Sequence, residues 1–282
     1  NRFNYQLVWL DREDYARALI RALWLAPVFA PIGFGGAQRD FAQVWTDTAR
    51  GFLGEIAFKK FLDSRLGFEI KLDLRRGPLE KFLASDIIVK DSSTGEFRDS
   101  RVKVSIKATK FNGRWLDLRG AQFEHSDVFL LVKLGISRLH FQAFMKDISF
   151  MKDKMFALAE DIGELTKEQA QELWEEAPDL MPIPAYIAGY IEKEGLKMPI
   201  DQIICREKGW KPKRIAISAG VGVFSRTNVR QHPRVREIDP KGALPIEVEP
   251  MIQSLTESKH FLAHSGALRF GADAWKLLAD KL

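Results

Sequence analysis

The pattern of apolar and polar positions divides the chain into elements before any chemistry is considered. Residues 11–26 (DREDYARALIRALWLA) have helical spacing behind an acidic first turn. Pro27 and Pro31, then Gly33, Gly35 and Gly36, break that pattern. No Gly-Lys-Ser/Thr follows the glycines, so they predict a plain loop and not a phosphate-binding one. A longer helix is predicted from about Asp40 to Leu66, with Phe41, Val44, Trp45, Phe52, Ile56 and Phe61 on its apolar side and Gly67 as its stop. Strand patterns follow. Phe68, Ile70, Leu72 and Leu74 alternate with Glu69, Lys71 and Asp73, residues 86–89 form a short apolar run, and Asp91 to Gly95 is turn chemistry. Val102, Val104 and Ile106 then alternate with Lys103, Ser105 and Lys107. Residues 119–126 predict a short helix or loop, 128–134 a buried strand, and 140–145 a further strand.

Residues 151–200 predict helix, with Thr166-x-x-Gln169 as a capping box and Leu165, Leu173 and Trp174 as an apolar side. Residues 215–224 predict a strand or hairpin, and 247–262 and 272–281 closing helices. The whole predicts a mixed α/β fold in which a central mixed sheet is flanked by helices. Its parts are an N-terminal helical segment (1–40), a core (41–150), an acidic helical insertion (151–200) and a basic C-terminal region with closing helices (201–282). These are expected to form one compact domain, and 282 residues suffice for a sizeable core.

Composition changes this picture in three places. An apolar share of 46% with 29% charged residues excludes a disordered chain. No apolar run approaches the roughly 20 residues of a membrane helix. Cys205 is the only cysteine, which excludes an intrachain disulfide and a Cys-rich zinc site and fits a cytoplasmic setting. The chain opens at Asn1 with no secretory pattern, and a few residues are expected to precede it. The formal net charge is only +5, but it is unevenly placed. Residues 151–200 hold 11 acidic and 5 basic side chains, and residues 206–241 hold 10 basic and 3 acidic ones. The basic block contains Arg206, Lys208, Lys211, Lys213, Arg214, Arg226, Arg230, Arg234, Arg236 and Lys241, with Asn228 and Gln231 among them. Such side chains meet phosphates and base edges, which points to nucleic acid, although a solvated basic face has the same composition.

Three groups stand out as candidate chemistry. Asp86 opens an apolar strand. Ser105 and Lys107 lie on one face of the next long strand, opposite Ile106. Pairing of 86–89 with 102–108 would bring a carboxylate and an amine to one sheet end. Glu55 lies on the long helix between the apolar residues Phe52 and Ile56, where a carboxylate needs a partner. Other candidates are weaker. His260 and His264 are four apart on a predicted helix but lack the glutamate of a zinc-protease pattern. Cys205 has no evident catalytic partner, and Trp115 and Trp210 suit core burial better than base stacking.

Taken in order, Glu55, Asp86 and Lys107 on helix, strand and strand resemble the PD-(D/E)xK nuclease superfamily, and within it the type II restriction endonucleases. The resemblance covers about residues 45–150 and extends to Gln122-Phe-Glu-His-Ser-Asp127 before an apolar strand, with Gln122 a possible supporting residue. It implies a core of helix, three antiparallel strands, helix and strand. Asp86, Glu55, Lys107 and Ser105 would be its catalytic residues. Mg²⁺ would be held by the Asp86 and Glu55 carboxylates and the Ile106 carbonyl, with Lys107 orienting the attacking water. The chain departs from the pattern at Ser105, where an acidic residue is expected, and at Ser85, where proline is expected. A helical carboxylate replaces the former in some members; Glu55 is the first candidate here and Glu80 the second.

The implied activity is Mg²⁺-dependent, sequence-specific cleavage of double-stranded DNA by a homodimer. Arg206, Lys208, Lys211, Lys213, Arg214, Arg226, Asn228, Arg230, Gln231, Arg234 and Arg236 would contact the DNA. The alternatives are a structure-specific or repair nuclease and, because of Ser105, a non-catalytic DNA-binding protein with a degenerate nuclease core. A module whose basic face meets an acidic protein is a further, weaker reading.

Overall fold

The computed structural model describes residues 2–29, 40–73, 85–91, 93–209, 213–250, 255 and 258–282, without the side chains of 28–29 and 119–122. It is a mixed α/β structure. The first elements are α1 (Arg2–Gln6), β1 (Leu7–Leu10), α2 (Arg12–Phe29) and α3 (Phe41–Leu66). Strands β2 (Ile70–Leu72), β3 (Ile87–Lys90), β4 (Phe97–Asp99), β5 (Val104–Lys110) and β6 (Trp115–Arg119) follow, then α4 (Gly120–His125), β7 (Val128–Leu134) and α5 (His140–Asp147). A π-helical stretch (Met151–Phe156) leads to α6 (Ala157–Asp161), α7 (Lys167–Glu176), β8 (Ile183–Glu192), α8 (Lys193–Lys197), β9 (Asp201–Lys208) and β10 (Arg214–Phe224). The chain closes with α9 (Arg226–Gln231), α10 (Pro233–Ile238), β11 (Ile246–Val248), β12 (His260–His264) and α11 (Ala272–Lys281). No helix among the described residues is long and apolar enough to cross a membrane.

Helix α3 forms where its pattern predicts. The Asp40 side chain accepts from the Gln43 N–H at its start, and Gly67 ends it with a φ of 59°. Phe52, Leu53, Ala57, Phe58, Phe61 and Leu62 are buried along it. They pack on a four-stranded sheet of order β1-β8-β7-β5, in which β5 and β7 are parallel and the remaining pairs antiparallel. Val104, Ile106, Leu130, Val132 and Ile187 meet α3 from that sheet, and Trp275 of α11 joins the same core. The sheet's other face contributes Phe129 and Leu131 to a second core with Leu116, Leu118, Val221 and Ala263 of a second sheet. In the second sheet β10 is central, with β9 on one edge and β11 and β12 on the other, and β6 lies outside β12. Its outer face packs under Val229 of α9 and Val235 of α10. The layers therefore run helices, sheet, sheet, helices. A small antiparallel sheet, β2-β3-β4, stands beside them.

Several predicted elements differ. The N-terminal segment is not only helical: β1 is an edge strand of the first sheet. The acidic segment is helical as far as Glu176, but 183–192 is strand β8, buried between two cores. A strand apolar on both faces loses the alternation that identifies it. Residues 140–147 are helix α5, because Phe141 and Phe144 sit three apart and meet Trp45 and Tyr15 edge-on. Residues 260–264 form strand β12, so His260 and His264 share no helix.

Two glycines are required by close packing. Gly189 has a φ of 144°, and a Cβ there would meet the Arg269 carbonyl oxygen at 2.6 Å, at the bulge where β7 and β8 change register. On α3, a Cβ at Gly54 would come within 2.8 Å of the Ala108 Cβ of β5. Gly54 thereby sets how near the helix comes to the strand. Gly54→Ala should lower the urea-unfolding free energy by about 1–3 kcal/mol through overpacking. Adding Ala108→Gly should return part of that loss, and no loss in the single variant would contradict the close approach.

Candidate active site

β5 is an edge strand of its sheet, and its free edge is where Glu55, Asp86 and Lys107 come together. Asp86 immediately precedes β3, which pairs with β2 and β4 and not along β5. The expected pairing of 86–89 with 102–108 is thus reduced to one anchoring residue. The Asp86 N–H donates to the Val104 carbonyl at 2.9 Å, and the Asp86 Oδ2 accepts from the Ile106 N–H at 2.6 Å. Ser85 accepts from the Val104 N–H through its hydroxyl at 3.3 Å. Beyond this point β3 pairs with β2 and β4, and among the described residues no strand continues along this edge of β5.

Each partner reaches the β5 edge from a different element. Gly54 brings α3 against β5, which carries Glu55 to the same place. Ser105 and Lys107 lie on the opposite face of β5 from Ile106, and Ser105 is only 7% exposed. Ile106 presents its N–H to Asp86, and the N–H and C=O of one strand residue point to the same side. The Ile106 carbonyl therefore lies on Asp86's side of the strand.

The electrostatics show how tightly these groups are held. Burial pushes the Glu55 carboxyl well above its usual range, Asp86 and Asp73 push it further, and Lys107 opposes them. Burial also raises Asp86, against the Ile106 hydrogen bond and Lys107. Burial lowers Lys107, against Asp86, Glu55 and Asp117. Burial thus favours the neutral form of both carboxyls and of the amine, and each group's charge acts on the others.

Nothing local in the sequence singles out Asp73 and Asp117. Asp73 follows β2, and its N–H donates to the Asp86 carbonyl at 3.0 Å. From sequence it is only the last polar member of an alternating strand. Asp117, on β6, faces Lys107 and pairs with His260, 3.2 Å away and 4% exposed. The halves of that pair lie on strands 143 residues apart.

Among the described residues, no group of three or more His, Cys, Asp or Glu side chains is disposed to hold a metal ion. Mg²⁺ does not need such a cage: it is usually bound by one or two carboxylates and otherwise by water and substrate oxygen. Asp86, Glu55 and the Ile106 carbonyl fit that minimal set. Glu80 lies outside the described residues, as does the side chain of Gln122.

The basic block is narrower than its sequence suggests. Arg230 donates to the Gly242 and Leu244 carbonyls and faces Asp239, so it holds the 239–244 turn. Arg214 pairs with Glu247, Lys208 with Glu249 and Lys213 with Glu207. The Asn228 side chain donates to the Val223 carbonyl. Arg206, Arg226, Gln231, Arg234 and Arg236 are exposed, and none of these four arginines has an ion pair among the described residues. Lys211 and Trp210 lie outside the described residues, and Trp115 is core. Comparison of the chain with protein-family models, curated proteins and solved structures finds no match.

A raised carboxyl gives a pH prediction. A group that binds its proton more tightly folded than unfolded makes stability fall as pH rises above its unfolded value, here 4.5 for Glu55. With divalent ions chelated, Glu55→Gln should therefore raise the melting temperature at neutral and higher pH. The gain should shrink as pH falls toward the unfolded value. A lower melting temperature in the variant at neutral pH would contradict the buried like-charge arrangement.

Proposed function

We propose that this protein is a Mg²⁺-dependent endonuclease that hydrolyses phosphodiester bonds in double-stranded DNA at specific sequences, with a restriction-endonuclease-like core over about residues 41–150. The observation that carries the reading is the convergence of Glu55, Asp86 and Lys107 on the free edge of β5. The parallel return from β5 to β7 through α4 supports the same core. Bound Mg²⁺ would acidify a water and neutralise charge on the attacked phosphate. Asp86, Glu55 and the Ile106 carbonyl would hold it, and Ile106 N–H keeps the Asp86 carboxylate oriented. Lys107, with its proton affinity lowered by burial, would position the attacking water and offset phosphate charge. The exposed arginines of β9, α9 and α10 would contact the DNA, and a homodimer would read a two-fold site.

One observation favours a second reading. Ser105 is buried and supplies no carboxylate, which suits a DNA-binding protein whose nuclease core no longer cuts.

Plasmid incubated with the protein and Mg²⁺ should give discrete, reproducible fragments. Lys107→Ala should slow cutting by at least about 10²-fold. Asp86→Asn should abolish it while leaving DNA binding intact. Tight binding without cutting in Mg²⁺ or Mn²⁺ would favour the second reading, and branched-substrate cutting alone would favour a repair nuclease.

A further inference from the structure

Beside the site, a cleft of about 640 Å³ lies among α2, α3 and β2. Five basic residues line it, Arg17, Arg21, Lys59, Lys60 and Lys71, against two acidic ones, Asp14 and Asp63. Neither carboxylate is free to repel an anion: Lys60 engages Asp14, and Lys59 engages Asp63. Arg21 makes no ion pair among the described residues, and the Lys71 ammonium rests 3.7 Å from the centre of the Phe97 ring. Among the described residues Arg17 pairs only with its helical neighbour Glu13, an exposed ion pair of the kind worth little.

The cleft continues the candidate active site along the chain. Phe52, Ile56 and Lys59 line it within about one turn of Glu55 on the same helix, and Leu72, which immediately precedes Asp73, lines it from β2. A polymer whose reacting phosphate lies at the edge of β5, and whose chain runs on into the cleft, would meet Arg21 and Lys71 there. Arginine and lysine at such positions fix the register of a nucleic acid without reading its bases.

We propose that this cleft seats the sugar-phosphate backbone of the DNA strand being cut, on one side of the scissile phosphate. This rests on the nuclease reading but moves part of the DNA-binding surface out of the 206–241 block and onto the N-terminal helices. The cleft would set affinity and strand position, and the arginines of the basic block would be left to discriminate sequence.

The test uses the full chain carrying Lys107→Ala, with divalent ions chelated, and a short fluorescent duplex titrated at several KCl concentrations. Adding Arg21→Ala and Lys71→Ala should make the slope of log Kd against log salt shallower by about 2, close to one unit for each phosphate that is no longer neutralised. Arg21→Lys with Lys71→Arg should keep the parental slope, which separates the effect of charge from that of misfolding. If the parent binds DNA and the alanine pair leaves its slope unchanged, the cleft proposal fails and the nuclease reading stands. If the parent binds no duplex even at low salt, the nuclease reading itself fails. Displacement of the duplex by a deoxynucleoside monophosphate at comparable concentration would overturn the proposal in favour of a small-ligand pocket, which the volume permits.

Discussion

The hydrogen bond from the Ile106 N–H to the Asp86 carboxylate is the interaction on which the site depends. Among the described residues β5 has no neighbouring strand along its outer edge, so its outward backbone groups need partners from elsewhere. Asp86 supplies two: its N–H to the Val104 carbonyl and its carboxylate to the Ile106 N–H. Asp86, with the Ser85 hydroxyl on the Val104 N–H, thus ties the small β2-β3-β4 sheet to the main one and fixes a carboxylate beside a strand carbonyl. Because the side chain takes the place of a ladder rung, β3 runs on to pair with β2 and β4 and not with β5.

The arrangement costs stability. Glu55 and Asp86 are both removed from water, the Asp86 charge further raises the proton affinity of Glu55, and the Lys107 amine is itself disfavoured by burial. The approach of α3 to β5 at Gly54 keeps Glu55 within reach of Asp86; a larger residue there would move the helix and relax the repulsion.

How much of this was legible in sequence depended on how local each signal is. α3 carries its own cap, apolar stripe and terminating glycine, and β5 its own alternation, so Glu55, Asp86 and Lys107 were readable as candidates. β8 was not, since a strand buried on both faces has no alternation to read and its acidic surroundings suggested helix. Asp73 and Asp117 owe their positions to tertiary packing, as does the pairing of Asp117 with His260. The basic block was visible as composition, but only the fold separates Arg230, which holds a turn, from Arg234 and Arg236, which face solvent.

In the proposed function, the carboxylates at the free edge of β5 hold a divalent cation. The most direct measurement is the melting temperature of the chain as Mg²⁺ is titrated, compared with Asp86→Asn. An ion that binds only the folded state stabilises it by RT ln(1 + [Mg²⁺]/Kd), so the wild-type melting temperature should climb with concentration while the variant stays nearly flat. Equal climbs in both proteins, or none in the wild type, would contradict the account.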